Sequence, residues 1–308
     1  MDRLSKANLA SSFSELAGSS CAFGVFDGLH RGHRFIIDKA ISYAKEKNIR
    51  SYIITFNVDP DEFFGRAGFK KIMSNDMRIK ALSECGADGV IVLDFEKMHD
   101  LCAEDFLDEV FTPNVPEVIS VGNDVRFGDR AAGDISTMQK WAREHGMKVH
   151  GFDLLKADGS PVTSTRIRSL LEDGLIKEAN ELLGHPYTLV GNVVHGRGEG
   201  AQMGFRTANI EVQSDMLLLK EGVYAARAYV DGIDWAAAVS VGVSPTFQDR
   251  SSANVEVHII DFEGDLYDDA IKVSFLERIR DMIKFDDVNE LIDRVNKDIA
   301  HARDAVKI

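Results

Sequence analysis

The pattern of apolar residues changes once along the chain, and this change constrains the fold most. Up to about residue 155, short apolar runs alternate with segments whose apolar residues recur every three or four positions. Such alternation is typical of strands and amphipathic helices in a parallel sheet covered on both faces. Beyond Gly184-His185-Pro186, strand-like runs follow one another with only turn residues between them. This second pattern indicates an antiparallel sheet or a small barrel.

The two patterns predict two domains. The first, residues 1–184, is expected to be an α/β domain with a doubly wound parallel sheet. Its strands are predicted at residues 21–26, 51–56, 89–93, 116–121 and within 147–155, with helices near 36–44, 76–85, 103–111, 134–144, 165–172 and 175–183. The second, residues 185–308, is expected to be a small antiparallel β-barrel with a terminal helix. Its strands are predicted at 187–195, 207–212, 223–230, 236–241, 254–261 and 271–275, and its helix at 288–306 with Leu291, Ile292, Val295 and Ile299 on one face.

Charge and cysteine content narrow the class of partner. A formal net charge of −14 argues against nonspecific binding to nucleic acid or to an anionic membrane. Three scattered cysteines without a CxxC pair predict neither a disulfide framework nor a zinc or redox motif. The first eighteen residues lack the apolar core of a signal peptide, and no later run reaches membrane-spanning length. We therefore expect a cytoplasmic protein that binds neither nucleic acid nor a membrane.

Residues 24–33, GVFDGLHRGH, connect the first predicted strand to the first predicted helix. Backbone N–H groups at a helix start, together with the helix dipole, favour a phosphate. His30 and His33 are three positions apart, so on a first helical turn both rings would face the same side and could donate to a phosphorus under attack. Two other interpretations fit the isolated motif: a capped helix with one packed and one exposed histidine, or a zinc site that lacks further ligands.

Two later motifs give the loop a context. VGNDVRFG (residues 121–128) follows a predicted strand end, and TSTRIR (residues 163–168) opens a predicted helix. Together with TFNVDPDEFF (residues 55–64) and the histidine loop, these motifs resemble, in order, the adenylyltransferase module of prokaryotic FAD synthetase. The resemblance implies transfer of AMP from ATP to FMN, with release of pyrophosphate, and implies catalytic roles for His30 and His33. It also implies ATP binding and flavin binding by further residues of this part of the chain. The ATP set is Gly24, Phe26, Asp27, Gly28, Asn123, Ser164, Thr165 and Arg168, and the flavin set is Asp59, Arg126 and Phe127.

The second domain opens with a glycine-rich stretch whose amides could fold around phosphates, including Gly196, Gly198 and Gly204. Thr207 and Asn209 then begin a strand as hard oxygen donors suited to Mg²⁺. Glu256 lies in an alternating strand and is a candidate general base. A glycine-rich hairpin with one strand glutamate is also common without any function, and the chain has no GxxxxGK[ST] phosphate loop.

Four stretches of this domain resemble riboflavin kinase: GFRTAN, SPTF, VEVHIIDFEGDLY and IRDMIKFD. The resemblance implies ATP-dependent phosphorylation of riboflavin, with Mg²⁺ at Thr207 and Asn209, Glu256 as the base and Arg280 near the flavin. Together the two resemblances cover residues 20–303 and imply a bifunctional FAD synthetase that makes FMN and then FAD. Its expected partners are the small molecules riboflavin, FMN and ATP, and it is expected to be a monomer or a weak homo-oligomer.

The chain departs from the family pattern at several positions. Arg206 stands where proline is usual, Ser244 where arginine is usual, and Met282 where glutamate is usual. Asp59 replaces a histidine or asparagine, and its charge would repel an FMN phosphate unless it faces water or magnesium. Two alternatives therefore stay open: an adenylyltransferase with a weakened kinase, or a flavin-binding regulatory paralogue without catalysis.

Overall fold

A computed structural model describes residues 13–112, 114–195, 205–243, 253–285 and 287–306. The chain separates into two compact units, Met1–Ser164 and Thr165–Ile308. The predicted division at residue 184 places helices 165–172 and 175–183 with the first domain, and it stays a prediction. Within the described residues, no helix is long and apolar enough to cross a membrane.

The first unit is built on a five-stranded parallel sheet. Its strands follow the order β3-β2-β1-β4-β5. Their bounds are β1 (Ser20–Phe23), β2 (Ser51–Phe56), β3 (Gly89–Leu93), β4 (Val118–Gly122) and β5 (Lys148–Phe152). β1 through β3 and most of β4 are buried, because apolar clusters pack on both faces of the sheet. The predicted doubly wound α/β architecture is confirmed.

Helices connect these strands. Their bounds are α1 (Arg31–Lys47), α2 (Pro60–Phe63), α3 (Asn75–Ser83), α4 (Phe95–Met98), α5 (Ala103–Phe111) and α6 (Ile135–His145). α1 buries Ile37, Ala40, Ile41 and Ala44, the face predicted from periodicity, and ends where Asn48 adopts a left-handed conformation. α2 and α4 are single turns that periodicity does not reveal. A small hairpin of β6 (Lys156–Ala157) and β7 (Ser160–Pro161) precedes α7 (Ser164–Glu172) and α8 (Ile176–Leu183).

The second unit is a closed antiparallel barrel with strand order β10-β11-β12-β9-β8-β13. The strands are β8 (Tyr187–Val194), β9 (Ala208–Val212), β10 (Gly222–Val230), β11 (Ile233–Val243), β12 (Ala253–Ile259) and β13 (Ala270–Arg280). β13 is longer than predicted because its charged second half still pairs with β10, across two irregularities in register. The predicted barrel is confirmed.

The terminal helix α9 (Val288–Ala305) packs on the outside of the barrel. Its contact layer consists mainly of small side chains, which lets the helix approach the strands closely: Ala225, Ala236, Ala238, Ala302 and Ala305, with Ile260, Ile279 and Ile299. The buried residues of α9 are Asp298 and Ala302, whereas the four residues predicted to form its apolar face are only half-buried. Asp298 is buried because it accepts hydrogen bonds from Arg280 of β13.

Candidate functional site

The histidine loop lies at the carboxyl end of β1, and residues 122–128 follow the carboxyl end of β4. Strand order reverses between these two neighbouring strands, since β2 and β3 extend from one side of β1, and β4 and β5 from the other. Open α/β sheets bind ligands in the crevice at such a switch point. The fold therefore brings two of the sequence motifs to the expected edge.

The loop does not continue β1 as predicted. The strand was predicted to reach Phe26 but ends at Phe23, because Phe26 adopts a left-handed conformation with φ of 61°. Gly28 (φ 73°) and Leu29 (φ 41°) follow it in the same region. A Cβ on Gly28 would also lie 2.9 Å from the side chain of Ile72. Three left-handed residues turn the chain sharply, and non-glycine residues of this kind cluster at functional sites.

His30 is the N-cap of α1 rather than part of its first turn, with extended backbone angles. Its Nδ1 accepts a hydrogen bond from the backbone N–H of His33 at 3.2 Å. The capping alternative therefore holds for His30, and because Nδ1 is the acceptor, a neutral ring carries its proton on Nε2. A Cβ at Gly32 would lie 3.1 Å from the His30 ring, which accounts for the glycine between the histidines.

The two imidazoles stack, with ring centroids 3.5 Å apart and an interplanar angle of 17°. His33 also meets Phe26 edge to face at 5.4 Å. Burial, the neighbouring His30 ring and the Arg78 guanidinium hold the pKa of His33 well below its ordinary value. The pair is thus kept close together with His33 neutral, which suits a hydrogen-bond donor better than an ion-pair partner.

Asp27 and Ser164, two residues of the predicted ATP set, are in contact, and the Asp27 carboxylate has structural partners of its own. The Asp27 carboxylate accepts from the backbone N–H groups of Ile72 and Met73 at 3.3–3.4 Å. Ser164, the first residue of α7, donates its hydroxyl hydrogen bond to the Asp27 carbonyl oxygen at 3.2 Å. Thr165 and Arg168 lie in the first two turns of that helix. The start of STRIR is therefore attached to the histidine loop.

Arg78 was missed by the sequence analysis. It is only 1% exposed and donates hydrogen bonds to four groups. These are the Val25 and Phe56 carbonyl oxygens, the Thr55 hydroxyl and the Asn75 side chain, at 2.7–3.1 Å. Arg78 and Leu82 are the two buried residues of α3, four positions apart. That spacing was the one signal in the sequence that could have predicted the burial of Arg78, but an arginine in a charged helix is usually solvated.

Asp59 does not face open water, the first of the two surroundings expected for it. It is 7% exposed and caps α2, accepting from the Asp61 N–H at 2.9 Å. Its charge also interacts favourably with Arg78. Beside it, an aromatic cluster that was not predicted joins α2 to α4; Phe63 and Phe64 are exposed, whereas Phe95 is buried. Its members are Phe63, Phe64, Phe95 and His99, with ring centroids 5.0–6.1 Å apart.

The VGNDVRFG residues lie in different surroundings. Asn123 is exposed at the crevice edge and donates to Asp153 at 2.7 Å. Arg126 is exposed, 3.9 Å from the Asp134 carboxylate. Phe127 is 4% exposed and packs on Phe106 in the core, which favours a structural role over the predicted flavin contact.

In the barrel, Glu256 of β12 lies directly across from Asn209 of β9 and Ser240 of β11. Val255 and Val257 are fully buried, so Glu256 projects from the outer face, as alternation requires. Thr207 is exposed just before β9, and the Arg206 carbonyl oxygen lies 2.8 Å from His258 Nδ1 on the same face as Glu256. The predicted oxygen donors and base thus share one polar row.

Two further residues named in the sequence analysis are Met282 and Arg280. Met282 is half-exposed, and its sulfur lies 3.7 Å from the Ser240 hydroxyl. Arg280 is paired with Asp298 at 2.7–2.9 Å, so its guanidinium attaches β13 to α9. The predicted phosphate-binding residues Gly196, Gly198 and Gly204, together with Ser244, lie outside the described residues.

Comparison with known proteins matches each of the two units to a protein family. The FAD synthetase family matches residues 12–166, and the riboflavin kinase family matches residues 183–306. A bifunctional riboflavin kinase/FMN adenylyltransferase from Pseudomonas fluorescens is 31% identical over 94% of this chain and 93% of its own. The chain belongs to the bifunctional riboflavin kinase/FMN adenylyltransferase family. The protein of the same description from Listeria monocytogenes is 31% identical over 90% of this chain and 89% of its own.

A solved structure covers the same extent. The crystal structure described as a macrolide-efflux protein from Streptococcus pneumoniae is 29% identical, with a TM-score of 0.82 over 93% of this chain and 94% of that one. Family membership carries two activities: phosphorylation of riboflavin to FMN and adenylylation of FMN to FAD, both at the expense of ATP.

Proposed function

We propose that adenylyl transfer takes place in the crevice between β1 and β4. The observation that carries this is the stacked pair of buried His30 and half-buried His33 at the switch point of the sheet. The Nε2–H of His30 is suited to donating to phosphate oxygens as charge develops on the α-phosphorus of ATP. Ser164 contacts the same histidine loop through the hydrogen bond that its hydroxyl donates to the Asp27 carbonyl oxygen.

The flavin side of this crevice is proposed to lie toward α2 and α4. The exposed rings of Phe63 and Phe64 offer planar apolar surface at the carboxyl ends of β2 and β3. Such rings suit a flat aromatic ligand, because stacked or edge-on contacts each contribute about 0.5–1.5 kcal/mol beyond area burial. Asp59 faces this region as a helix cap whose charge Arg78 offsets, which lessens its repulsion of an FMN phosphate.

Phosphoryl transfer is proposed on the polar row of the barrel, with Glu256 as general base toward the terminal ribityl hydroxyl. Its cross-strand partner Asn209, with Thr207 two residues earlier, supplies neutral oxygen donors beside it. Amide, hydroxyl and carboxylate oxygens are the donor set that Mg²⁺ prefers. When bound there, Mg²⁺ neutralises phosphate charge during transfer. The chemistry of this row supports a kinase that retains its essential groups.

We predict that both half-reactions require Mg²⁺ and that the protein holds no stoichiometric zinc. Among the described residues, no group of three histidine, cysteine or acidic side chains is placed to hold a metal. Activity should vanish with excess chelator and return with Mg²⁺ but not with Zn²⁺, since hard oxygen donors favour the former. One equivalent of zinc in elemental analysis of untagged protein would contradict the prediction.

We predict that Arg206→Pro leaves riboflavin phosphorylation close to the parent rate. The described contact of Arg206 on the polar row uses its carbonyl oxygen, which proline keeps. A compatible proline typically adds about 0.4–1 kcal/mol of stability by restricting the unfolded chain. Initial rates and thermal unfolding measure the two effects. A large gain in rate for Arg206→Pro, or for Arg206→Pro combined with Ser244→Arg, would instead support a weakened kinase.

A direct assay tests the whole proposal. Purified protein with riboflavin and MgATP should produce FMN and then FAD, separated by chromatography over time. FMN supplied without riboflavin should also give FAD and pyrophosphate. Accumulation of FMN alone, or FAD from FMN but none from riboflavin, would exclude one of the proposed sites. We further propose that the protein is cytoplasmic and is a monomer or a weak homo-oligomer, which cell fractionation and light scattering check.

A further inference from the structure

We infer that Arg78 is a positioning residue for adenylyl transfer, because its guanidinium joins the histidine loop to the loop and helix on the proposed flavin side. This inference rests on the adenylyl-transfer site proposed above. Arg78 itself is buried behind both loops, so it acts through the groups that it holds rather than on the substrates.

The guanidinium of Arg78 connects the chain just after β1 to the end of β2. Nη1 of Arg78 donates to the Val25 carbonyl oxygen and to the Thr55 hydroxyl, both at 2.7 Å. Thr55 in turn donates to the same Val25 oxygen at 3.2 Å. Val25 directly precedes left-handed Phe26, so this three-way contact fixes the point at which the histidine loop leaves the sheet.

The same guanidinium is also connected to α2 through hydrogen bonds. Nη2 of Arg78 donates to the Phe56 carbonyl oxygen at 2.9 Å and to Asn75 Oδ1 at 3.1 Å. Asn75 passes the connection on, since its Nδ2 donates to Glu62 of α2 at 2.8 Å. The other oxygen of that carboxylate pairs with buried Lys71 at 2.9 Å. One guanidinium therefore connects the phosphate side and the flavin side of the crevice.

Energetics indicate that stability alone is a poor explanation for this arginine. Burying a guanidinium carries a desolvation cost of several kcal/mol, and a well-packed apolar side chain often stabilises a fold as well or better. Arg78 instead satisfies groups at two loops that must hold separate substrates. Reacting atoms need to approach within about 3–3.5 Å, and a displacement of about 1 Å can lower a rate about 10²-fold.

The charge of Arg78 also affects the pKa of His33, which can be measured. Burial contributes most to the low pKa of His33, and two groups act on it electrostatically in addition: the His30 ring from its own loop and the Arg78 guanidinium from α3. Both disfavour the imidazolium and so lower the pKa of His33. Without the Arg78 charge, His33 would take up a proton at a higher pH, and the neutral form would be lost earlier on acidification.

The test compares Arg78→Met and Arg78→Lys with Lys80→Met, which removes an exposed cation from the same helix. FMN adenylylation is measured over a range of pH, with riboflavin phosphorylation as an internal control. Arg78→Met should lower kcat for FAD formation about 10²-fold and move the acid limb of the profile to higher pH. Arg78→Lys should leave the acid limb in place, because the charge is kept. Lys80→Met and riboflavin phosphorylation should match the parent.

Should Arg78→Met fail to fold, Asn75→Ala keeps the guanidinium charge and removes the two hydrogen bonds that connect Arg78 to Glu62. It should raise the KM for FMN while leaving the acid limb unmoved. A parent-like KM in Asn75→Ala, or an Arg78→Met protein with lower thermal stability but a parent-like rate and pH profile, would overturn the inference. Failure of the proposed site itself would look different, since replacement of His30 would then leave FAD formation intact.

Discussion

Replacing His30 by asparagine is expected to lower the rate of FAD formation by about 10²–10³, the usual loss for one preorganised donor to a developing negative charge. The same protein should phosphorylate riboflavin at the parent rate, because the polar row belongs to the other compact unit. Rates of FMN and FAD formation, measured separately by chromatography, give both values from one preparation.

Asparagine is the informative substitution because His30 also caps α1 through its Nδ1. Asparagine is a good N-cap, whereas alanine is a poor one, and losing a cap costs about 0.5–2 kcal/mol. We therefore expect His30→Ala to be less stable than His30→Asn but equally slow. If His30→Asn kept the parent rate while His30→Ala did not, the imidazole would serve only as a cap.

The second large effect is expected at Glu256. Glu256→Gln keeps the size of the side chain and its place opposite Asn209 but removes the base. Riboflavin phosphorylation should fall by about 10²–10⁴, the usual contribution of general base catalysis. FMN-to-FAD conversion should be unchanged, so added FMN should still give FAD.

Glu211→Gln provides the matched control for this experiment. Glu211 is an exposed glutamate of neighbouring β9, two residues beyond Asn209, so it makes the same change of charge near the same row. It should phosphorylate riboflavin at the parent rate. Equal losses in both variants would point to the general charge of this face, and no loss in Glu256→Gln would remove the assignment of the base.

Much of the fold is predictable because local pattern and tertiary environment agree. Ser51–Phe56, Gly89–Leu93 and Ala103–Phe111 have the bounds predicted for them, since each is an apolar run or an amphipathic segment between clear breaks. The strand predicted through Phe26 failed for the opposite reason. Its residues are apolar and favour a strand, but the tertiary structure of the loop imposes a left-handed turn on Phe26.

The candidate site was predictable where chemistry is concentrated in one short motif. Residues 24–33 indicated phosphate chemistry by themselves, and the structure places them at the switch point. Contacts between distant segments were not predictable. Apart from its spacing to Leu82, nothing local marks Arg78 as buried, and nothing local marks Asp27 as the acceptor of N–H groups from Ile72 and Met73. Val25, the partner of Arg78, and the two partners of Asp27 are 45–53 residues away along the chain.

The difference between an open sheet and a closed barrel bears on aggregation. A closed barrel has no edge, whereas the open sheet ends at β3 on one side and at β5 on the other. β5 begins with exposed Lys148, a residue that discourages pairing with another molecule. β3 reads GVIVL and packs against α3, so partial opening would uncover an apolar edge that can recruit further strands. Loss of protein on mild heating should therefore begin in the adenylyltransferase unit.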